Sequence, residues 1–477
     1  MTLRPHNTRL FTKGFNTDGQ LGLSADVKRA TEFTEVTQLL EMSEEESRKT
    51  LSLIDKVAVG RSSLMFSTTN NRVLVCGMNT YNQIGLEHET PKFLFRPIED
   101  LLKKELQHAK KMELALLENK LGTMKVNEKT RTFLLEKLNK KFEKIHSIDK
   151  IGCGWFHSMI VLNNNLVFGS GHSYFGQLFG KPQTHTFQYL NNEKFNPLQL
   201  TESMIQNIEN GNFNVDPFNI NKVTHLDCGT FSTSIVMNNC QLYACGEVIG
   251  ATATEDTYLM EISKEFNENC QIVDVFHTDS GIAIHTSNSE IIIIEREKLT
   301  TPKRISNIVR CIGGHMCSDL YYAEAASPHI LKKWTQTDGS LNFNISKCSL
   351  PCKLYSGYYH VFLVSEDKYI YTDSSFSNSI EDDYDENTDS ITLSGLITPS
   401  TKTSDKGNGL LAKYLLHDQY KVADLGSGSD VSFVLISWNS SREEEETKAR
   451  MLKQTKKSGH RAFSDISLKA IDHLYYH

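Results

Sequence analysis

Ten cysteines and 17 histidines are the residues of this 477-residue chain best suited to chemistry. Cys348-x3-Cys352 and Cys311-x5-Cys317 have the spacing of zinc half-sites, but neither is joined by a second pair or by a histidine at ligand spacing. They read as small buried hydrophobes, so no metal is expected. His157 and His360 have the side chain of a general acid or base. Both, however, occupy one position of a recurring pattern in which Ser63 and Ser232 stand in other copies. A group that recurs with a repeat is a structural hydrogen-bonder rather than a catalyst, and by the same reasoning Cys76, Cys153, Cys228 and Cys245 are packing residues. The chain contains no G-x-x-x-x-G-K-S/T, no H-E-x-x-H, no G-x-S-x-G and no G-x-G-x-x-G opening a helix. It reads as non-catalytic, with no cofactor.

The elements that hold these residues are repeats. Ile151-Gly-Cys153-Gly154-Trp-Phe-His157 through Gly171 aligns without a gap on Leu226-Asp-Cys228-Gly229-Thr-Phe-Ser232 through Gly246. Val57–Gly77 and Leu354–Ser374 align the same way, and weaker copies follow at Val275–Glu295, Cys311–Tyr321 and Leu425–Leu435. The residues at the glycine position are Gly60, Gly154, Gly229, Thr278, Gly314, Gly357 and Gly428. Each copy predicts a β-hairpin: an apolar strand, a polar turn such as Asn163-Asn164-Asn165, and a second apolar strand. Runs such as Ile291–Ile294 suit strands buried on both faces. The glycine suits a tight backbone position or the close approach of a neighbouring repeat. A second element follows the hairpins, at Gly14-Phe-Asn16-Thr-Asp-Gly19-Gln20-Leu21-Gly22, Gly77–Gly85 and Gly171–Phe179, with a decayed copy at Gly246–Gly250. Its Asn and Gly residues permit positive φ, and its Gln can bond exposed backbone groups.

The paired motifs C-G-x-x-H-S and G-x-N-x-x-G-Q-L-G resemble the regulator of chromosome condensation repeat, over nearly the whole chain from Arg9 to Ile436. The resemblance implies an all-β fold, a seven-bladed β-propeller of four-stranded blades spanning residues 9–437. The N-terminus has the Gly-Gln-Leu-Gly element without a hairpin, and the C-terminus has the strand Ser432–Ser437 without that element. The two halves should complete one blade and close the ring, because an open propeller leaves unpaired edges.

Other segments interrupt or extend the repeats. Residues 99–145 carry Leu102, Leu106, Ala109, Leu116, Leu134, Leu138, Phe142 and Ile145 at helical spacing, with Gly122 as the expected break of an α-helical hairpin. It reads either as a peripheral hairpin on the rim, removable without loss of the fold, or as a partner-binding arm. Residues 374–408 include Glu381-Asp-Asp-Tyr-Asp-Glu386 and read as an acidic, polar loop. Residues 438–477 read as a charged tail with a helix around Glu443–Arg450, and Lys453, Lys456, Lys457 and Arg461 have the composition of a nuclear import signal.

A net charge of −7 argues against unspecific nucleic-acid binding. No signal peptide and no membrane span are read, which places the chain inside the cell, in cytoplasm or nucleus. The expected function is a protein-interaction platform or regulatory module. The resemblance implies an alternative: guanine-nucleotide exchange on a Ran-type small GTPase. Positions that vary between copies on one face are the candidate partner contacts: Asp18, Tyr81, Tyr174 and Phe175 at the turn tips, and Trp155 beside Gly154.

Overall fold

In the computed structural model the described residues are 7–247, except 88–90, 125, 180, 182–183, 191–197, 199 and 215, together with 260–261, 270–278, 281–295, 303–313, 320–326, 330–334, 341–344, 352–356, 361–365, 369–372, 395–396 and 420–438. Gly314, Gly357, His360, nearly all of the 374–408 loop and all of the tail after Trp438 lie outside them, as do the side chain of Thr278 and residues 248–250 of the decayed turn.

The described chain is dominated by seven four-stranded antiparallel sheets. The first holds Ile54–Val59, Ser63–Thr68, Val73–Gly77 and Lys92–Pro97; the second holds Ile148–Cys153, His157–Leu162, Leu166–Gly171 and Thr184–Tyr189. The third starts at Val223–Cys228, the fourth at Ile272–Thr278, the fifth at Ile308–Gly313 and the sixth at Cys352–Ser356, each followed in order by its own three strands. The seventh combines the two ends of the chain. Its strands Tyr420–Ser427 and Val431–Trp438 are followed by Asn7–Phe15 and Arg29–Glu35, with Asn7–Gly14 laddered antiparallel to Val431–Trp438.

The middle strands are buried on both faces, as the continuous apolar runs require: every residue of Ser63–Thr68, His157–Leu162, Leu166–Gly171 and Ile291–Glu295 is buried. The first strand of each sheet packs on the first strand of the next, from Ile54–Val59 round to Tyr420–Ser427, and Tyr420–Ser427 packs back on Ile54–Val59.

The repeat glycines explain this close succession. A Cβ on Gly60 would fall 2.7 Å from the carbonyl oxygen of Gly154, and one on Gly154 would fall 2.6 Å from that of Gly229. One on Gly428 would strike the carbonyl of Gly60, linking the last sheet to the first. Close approach between sheets, not positive φ, is therefore what these four positions demand.

Four helices are described: α1 (Glu44–Leu51), α2 (Glu99–Thr123), α3 (Glu128–Lys141) and α4 (Glu202–Glu209). The helical hairpin breaks at Met124–Asn127, where Asn127 caps α3 by accepting the Thr130 N–H at 2.9 Å; Gly122 lies inside α2. Leu116 is 51% exposed, because the buried stripe runs instead through Leu102, Leu106, Ala109, Glu113, Leu117 and Leu121. Glu113 sits in that stripe because its carboxylate meets the Tyr189 hydroxyl, and burial raises its pKa. Leu102, Leu106, Leu134, Leu138 and Phe142 join one core cluster with Ile148, Phe168 and Tyr189 of the second sheet. The hairpin is therefore part of a core rather than laid on a finished rim.

Candidate protein-interaction face

In an antiparallel sheet of four consecutive strands, the first and third connections emerge at the same end. That end carries the loops after the repeat glycines and the Gly-Gln turns. The opposite end carries the helices.

Each Gly-Gln turn is built the same way. Asn16 Oδ1 accepts the Leu21 N–H at 3.0 Å, Asn79 Oδ1 that of Ile84 at 3.2 Å, and Ser173 Oγ that of Leu178 at 3.3 Å. Gln20, Gln83 and Gln177 are buried, and their Oε1 atoms accept the N–H groups of Asp18, Tyr81 and Phe175 at 2.9, 3.0 and 3.0 Å. The glutamine thus pins each tip residue from two positions downstream. Left-handed backbone at Gly19, Asn82 and Gly176 turns the chain between them (φ 79°, 59° and 79°). Two of the turns are bonded to the following sheet: Ser170 Oγ donates to the Asn82 carbonyl at 2.7 Å, and Thr233 Oγ1 to the Gln177 carbonyl at 2.9 Å.

The pinned tips of the first and second sheets meet the loops of the second and third in one aromatic arc. Tyr81 packs edge-on against Phe156 (centroids 4.7 Å apart) and His172 (5.5 Å). Phe156 stacks on Phe231 at 5.4 Å, Phe175 meets Phe231 at 4.9 Å, and Tyr174 meets Phe175 at 5.1 Å and stacks on His172 at 6.0 Å. Trp155 closes the inner side, 6.0 Å from Phe156, with the Arg61 guanidinium 4.5 Å over its ring. Tyr174 is 79% exposed and Tyr81 37%, whereas Trp155, Phe156, Phe175 and Phe231 are half-buried. Burial lowers the pKa of His172, which favours its neutral ring.

Four of the five candidate contacts from the sequence, Tyr81, Trp155, Tyr174 and Phe175, therefore lie together. Asp18 occupies the equivalent tip of the seventh sheet, half-buried, and the ring contacts of the arc do not extend to it. Phe156, Phe231, His172 and Arg61 were missed. Phe156 and Phe231 share one repeat position, two residues after the glycine, and a residue type that repeats reads as scaffold.

His157 lies under this face, fully buried, with Nε2 2.9 Å from Thr233 Oγ1; His277 Nδ1 is 2.8 Å from Ser232 Oγ. Burial, with the nearby His277 and His172, lowers His157 to about 3, so it is neutral at physiological pH. The buried thiols of Cys76, Cys153, Cys228 and Cys245 are all pushed up by burial, Cys153 and Cys245 to about 12, which leaves them unreactive. Among the described residues no three His, Cys, Asp or Glu side chains are grouped to hold a metal, and no helix is long and apolar enough to cross a membrane.

Residues 148–177, which contain the first three strands of the second sheet and the turn with Tyr174 and Phe175, match the Regulator of chromosome condensation (RCC1) repeat. That segment is similar to the repeat. Solved structures similar to this chain share its fold at low identity. Prp20p from Saccharomyces cerevisiae, described for its binding to Gsp1p and histones, is 10% identical with a TM-score of 0.55, over 95% of this chain and 96% of Prp20p. Yeast RCC1 (Prp20) bound to Kap60 gives 11% and 0.56, over 94% and 93% of the two chains. Human WBSCR16 gives 10% and 0.55, over 90% and 98%. No curated protein matches by sequence.

Proposed function

We propose that this chain is a closed ring of seven blades that serves as a non-catalytic protein-interaction platform, with the aromatic arc as its working face. The ring reading is supported by the succession of first strands, which returns from Tyr420–Ser427 to Ile54–Val59, and by Ser62 Oγ donating to Asp430 Oδ2 at 2.6 Å between the first and last sheets. The platform reading rests on one observation: Tyr174 and Tyr81 stand exposed on turns whose backbone is pinned by buried glutamines, above half-buried rings from two sheets. Rigid aromatic side chains lose little entropy on binding and are frequent anchors of protein interfaces.

Kinship of fold with Prp20p leaves nucleotide exchange on a Ran-type GTPase as the competing reading, and fold alone does not carry an activity. Two measurements separate the readings. Proteins captured by the native chain should be lost with a Tyr81→Ser/Tyr174→Ser variant that melts normally; an unchanged set would sink the arc as the working face. A Ran-type GTPase loaded with fluorescent GDP should release nucleotide at its intrinsic rate in the presence of the protein. Acceleration at catalytic amounts would sink the non-catalytic reading.

A further inference from the structure

The residues that follow the repeat glycines hold equivalent positions at the arc end of the ring: Arg61, Trp155, Thr230 and Ser429 in the described copies. Arg61 is the one cation among them. Its guanidinium lies 4.5 Å over the indole of Trp155, which belongs to the next sheet. Trp155 leads in turn to Phe156 at 6.0 Å, and Phe156 to Tyr81 at 4.7 Å. Arg61 is half-buried, yet its guanidinium makes no hydrogen bond or ion pair with any described residue. Arg9 and Arg72, also half-buried, are paired with Glu35 and Glu99. A carboxylate does lie close in the fold, but its bonds go elsewhere. Asp430, whose N–H donates to the Arg61 carbonyl at 3.3 Å, accepts from Ser62 Oγ at 2.6 Å and from Ser429 Oγ at 3.1 Å.

An arginine stacked on an indole has its plane fixed before anything binds, so its fork of N–H donors is presented at little further entropic cost. Water satisfies those donors in the free protein. A carboxylate satisfies two of them at once, with charge assistance. The charge to be matched is single. No other Lys or Arg stacks on the arc rings among the described residues, and burial favours the neutral ring of His172. A phosphate ester, at about −1.5 to −2, would be under-compensated by one guanidinium, whereas a carboxylate is matched by it.

We infer that Arg61 is the specificity subsite of the arc: it takes an aspartate or glutamate side chain from a partner segment whose neighbouring apolar residue rests on Tyr81 and Tyr174. The inference rests on the arc being the working face, and it names the chemistry of the partner. The partner's groups have a set order. Its acid lies inward, where Trp155 holds the guanidinium, and its apolar residue outward, where Tyr174 is 79% exposed. The contacts from guanidinium to Tyr81 limit the span to about 15 Å, which an extended segment covers in about five residues at about 3.3 Å each.

Random dodecapeptides selected on the immobilised full chain supply the probe. Selected peptides are expected to carry Asp or Glu within about five residues of an aromatic or large aliphatic residue. One of them, with its acid intact or changed to the amide, is titrated against the native chain and against Arg61→Gln. Each single change should weaken binding at least ten-fold, and both together little more than either alone, because they break one pair. Additive losses, or peptides selected without an acid, overturn the subsite. If Arg61→Gln does not melt cooperatively, Arg61→Lys, which keeps the charge but not the fork, takes its place in the cycle. Tyr81→Ser/Tyr174→Ser separates the two readings. If it abolishes peptide binding while the Arg61 cycle is additive, the arc stands and the subsite falls. If it leaves binding intact, the arc falls and the subsite with it, and a library that yields no peptide overturns both.

Discussion

His157 Nε2 lies 2.9 Å from Thr233 Oγ1, across the boundary between the second and third sheets. Thr233 has one hydroxyl proton and spends it on the Gln177 carbonyl, so the hydrogen in the histidine bond belongs to Nε2. The fixed species is a neutral imidazole. Folded His157 binds a second proton only near 3, against 6.5 for a free ring. Between those values the unfolded chain holds more protons than the folded one. Stability should therefore be unaffected by this group above about pH 6.5, and fall by up to about 1.4 kcal/mol per pH unit below it. Asp274 acts in the opposite sense between 3.8 and about 6, because its folded carboxyl keeps its proton longer. Urea melts of the native chain and of His157→Gln at pH 7 and pH 5 isolate the histidine. The variant should be less stable at pH 7 but lose less on acidification, and equal losses would refute the assignment.

Gly154 is confined from two sides. A Cβ there would fall 2.6 Å from His157 Nδ1 and 2.6 Å from the Gly229 carbonyl oxygen, one contact within its sheet and one with the next. Gly122, inside α2, has open space around its Cβ position. Gly154→Ala should destabilise by about 1–3 kcal/mol through overpacking. Gly122→Ala should stabilise by up to about 1 kcal/mol, since alanine is the better helix former. Denaturant midpoints compare the two, and equal shifts would show that the repeat glycine is not a close-approach position.

Much of this was legible because repeats align with one another. The hairpins, the glycine at a close approach and the glutamine at the turn follow from the aligned copies, whereas four-stranded units followed from the resemblance alone. The aromatic arc was half legible: Tyr81 and Tyr174 stand out as variable, but Phe156 and Phe231 are concealed by recurring. Helices α1 and α4 were not read, although Ser43-x-x-Glu46 is a capping box in which the Ser43 N–H donates to Glu46 Oε2 at 3.0 Å. In α2 the burial of Glu113 is a tertiary fact. Its partner Tyr189 lies in another element, so the apolar stripe was placed through Leu116 instead.

That stripe decides what the helical hairpin is for. Because Phe142 and Leu138 pack in one core with Phe168 and Tyr189, removing residues 99–145 exposes the outer strand of the second sheet. The expected product is poorly soluble and melts without cooperativity, against the reading of a peripheral insert. Phe142→Ala, a gentler probe, should cost about 3–5 kcal/mol. A soluble deletion with a sharp transition would return the hairpin to the status of an appendage.

The joint between the chain ends is exposed to a direct cut. Val431–Trp438 ladders to Asn7–Gly14, and Leu10, Phe11, Phe433 and Leu435 are all buried there. Ending the chain at Tyr420 removes the two inner strands of the seventh sheet and leaves Asn7–Phe15 with an unpaired edge. Insoluble or oligomeric protein is expected on gel filtration. A monomer with a single sharp melt would contradict the closed ring.

Within the aromatic arc, stacking and exposure separate two roles. Phe231 contacts Phe156, Phe175 and Trp155, rings that themselves hold the tips in place. Tyr174 touches only His172 and Phe175 among these rings and presents most of its surface to solvent. Phe231→Ala should therefore lower stability by about 2 kcal/mol or more, less than a fully buried phenylalanine because the ring is half-buried. Tyr174→Ala should change stability by less than about 0.5 kcal/mol, as exposed positions do. If the arc is the working face, the order reverses for partner affinity measured at a temperature where both variants are folded: Tyr174→Ala should lose at least ten-fold, the cost of an aromatic anchor. A Tyr174→Ala variant that binds normally while Phe231→Ala loses binding only in proportion to its unfolding would reduce the arc to packing between sheets.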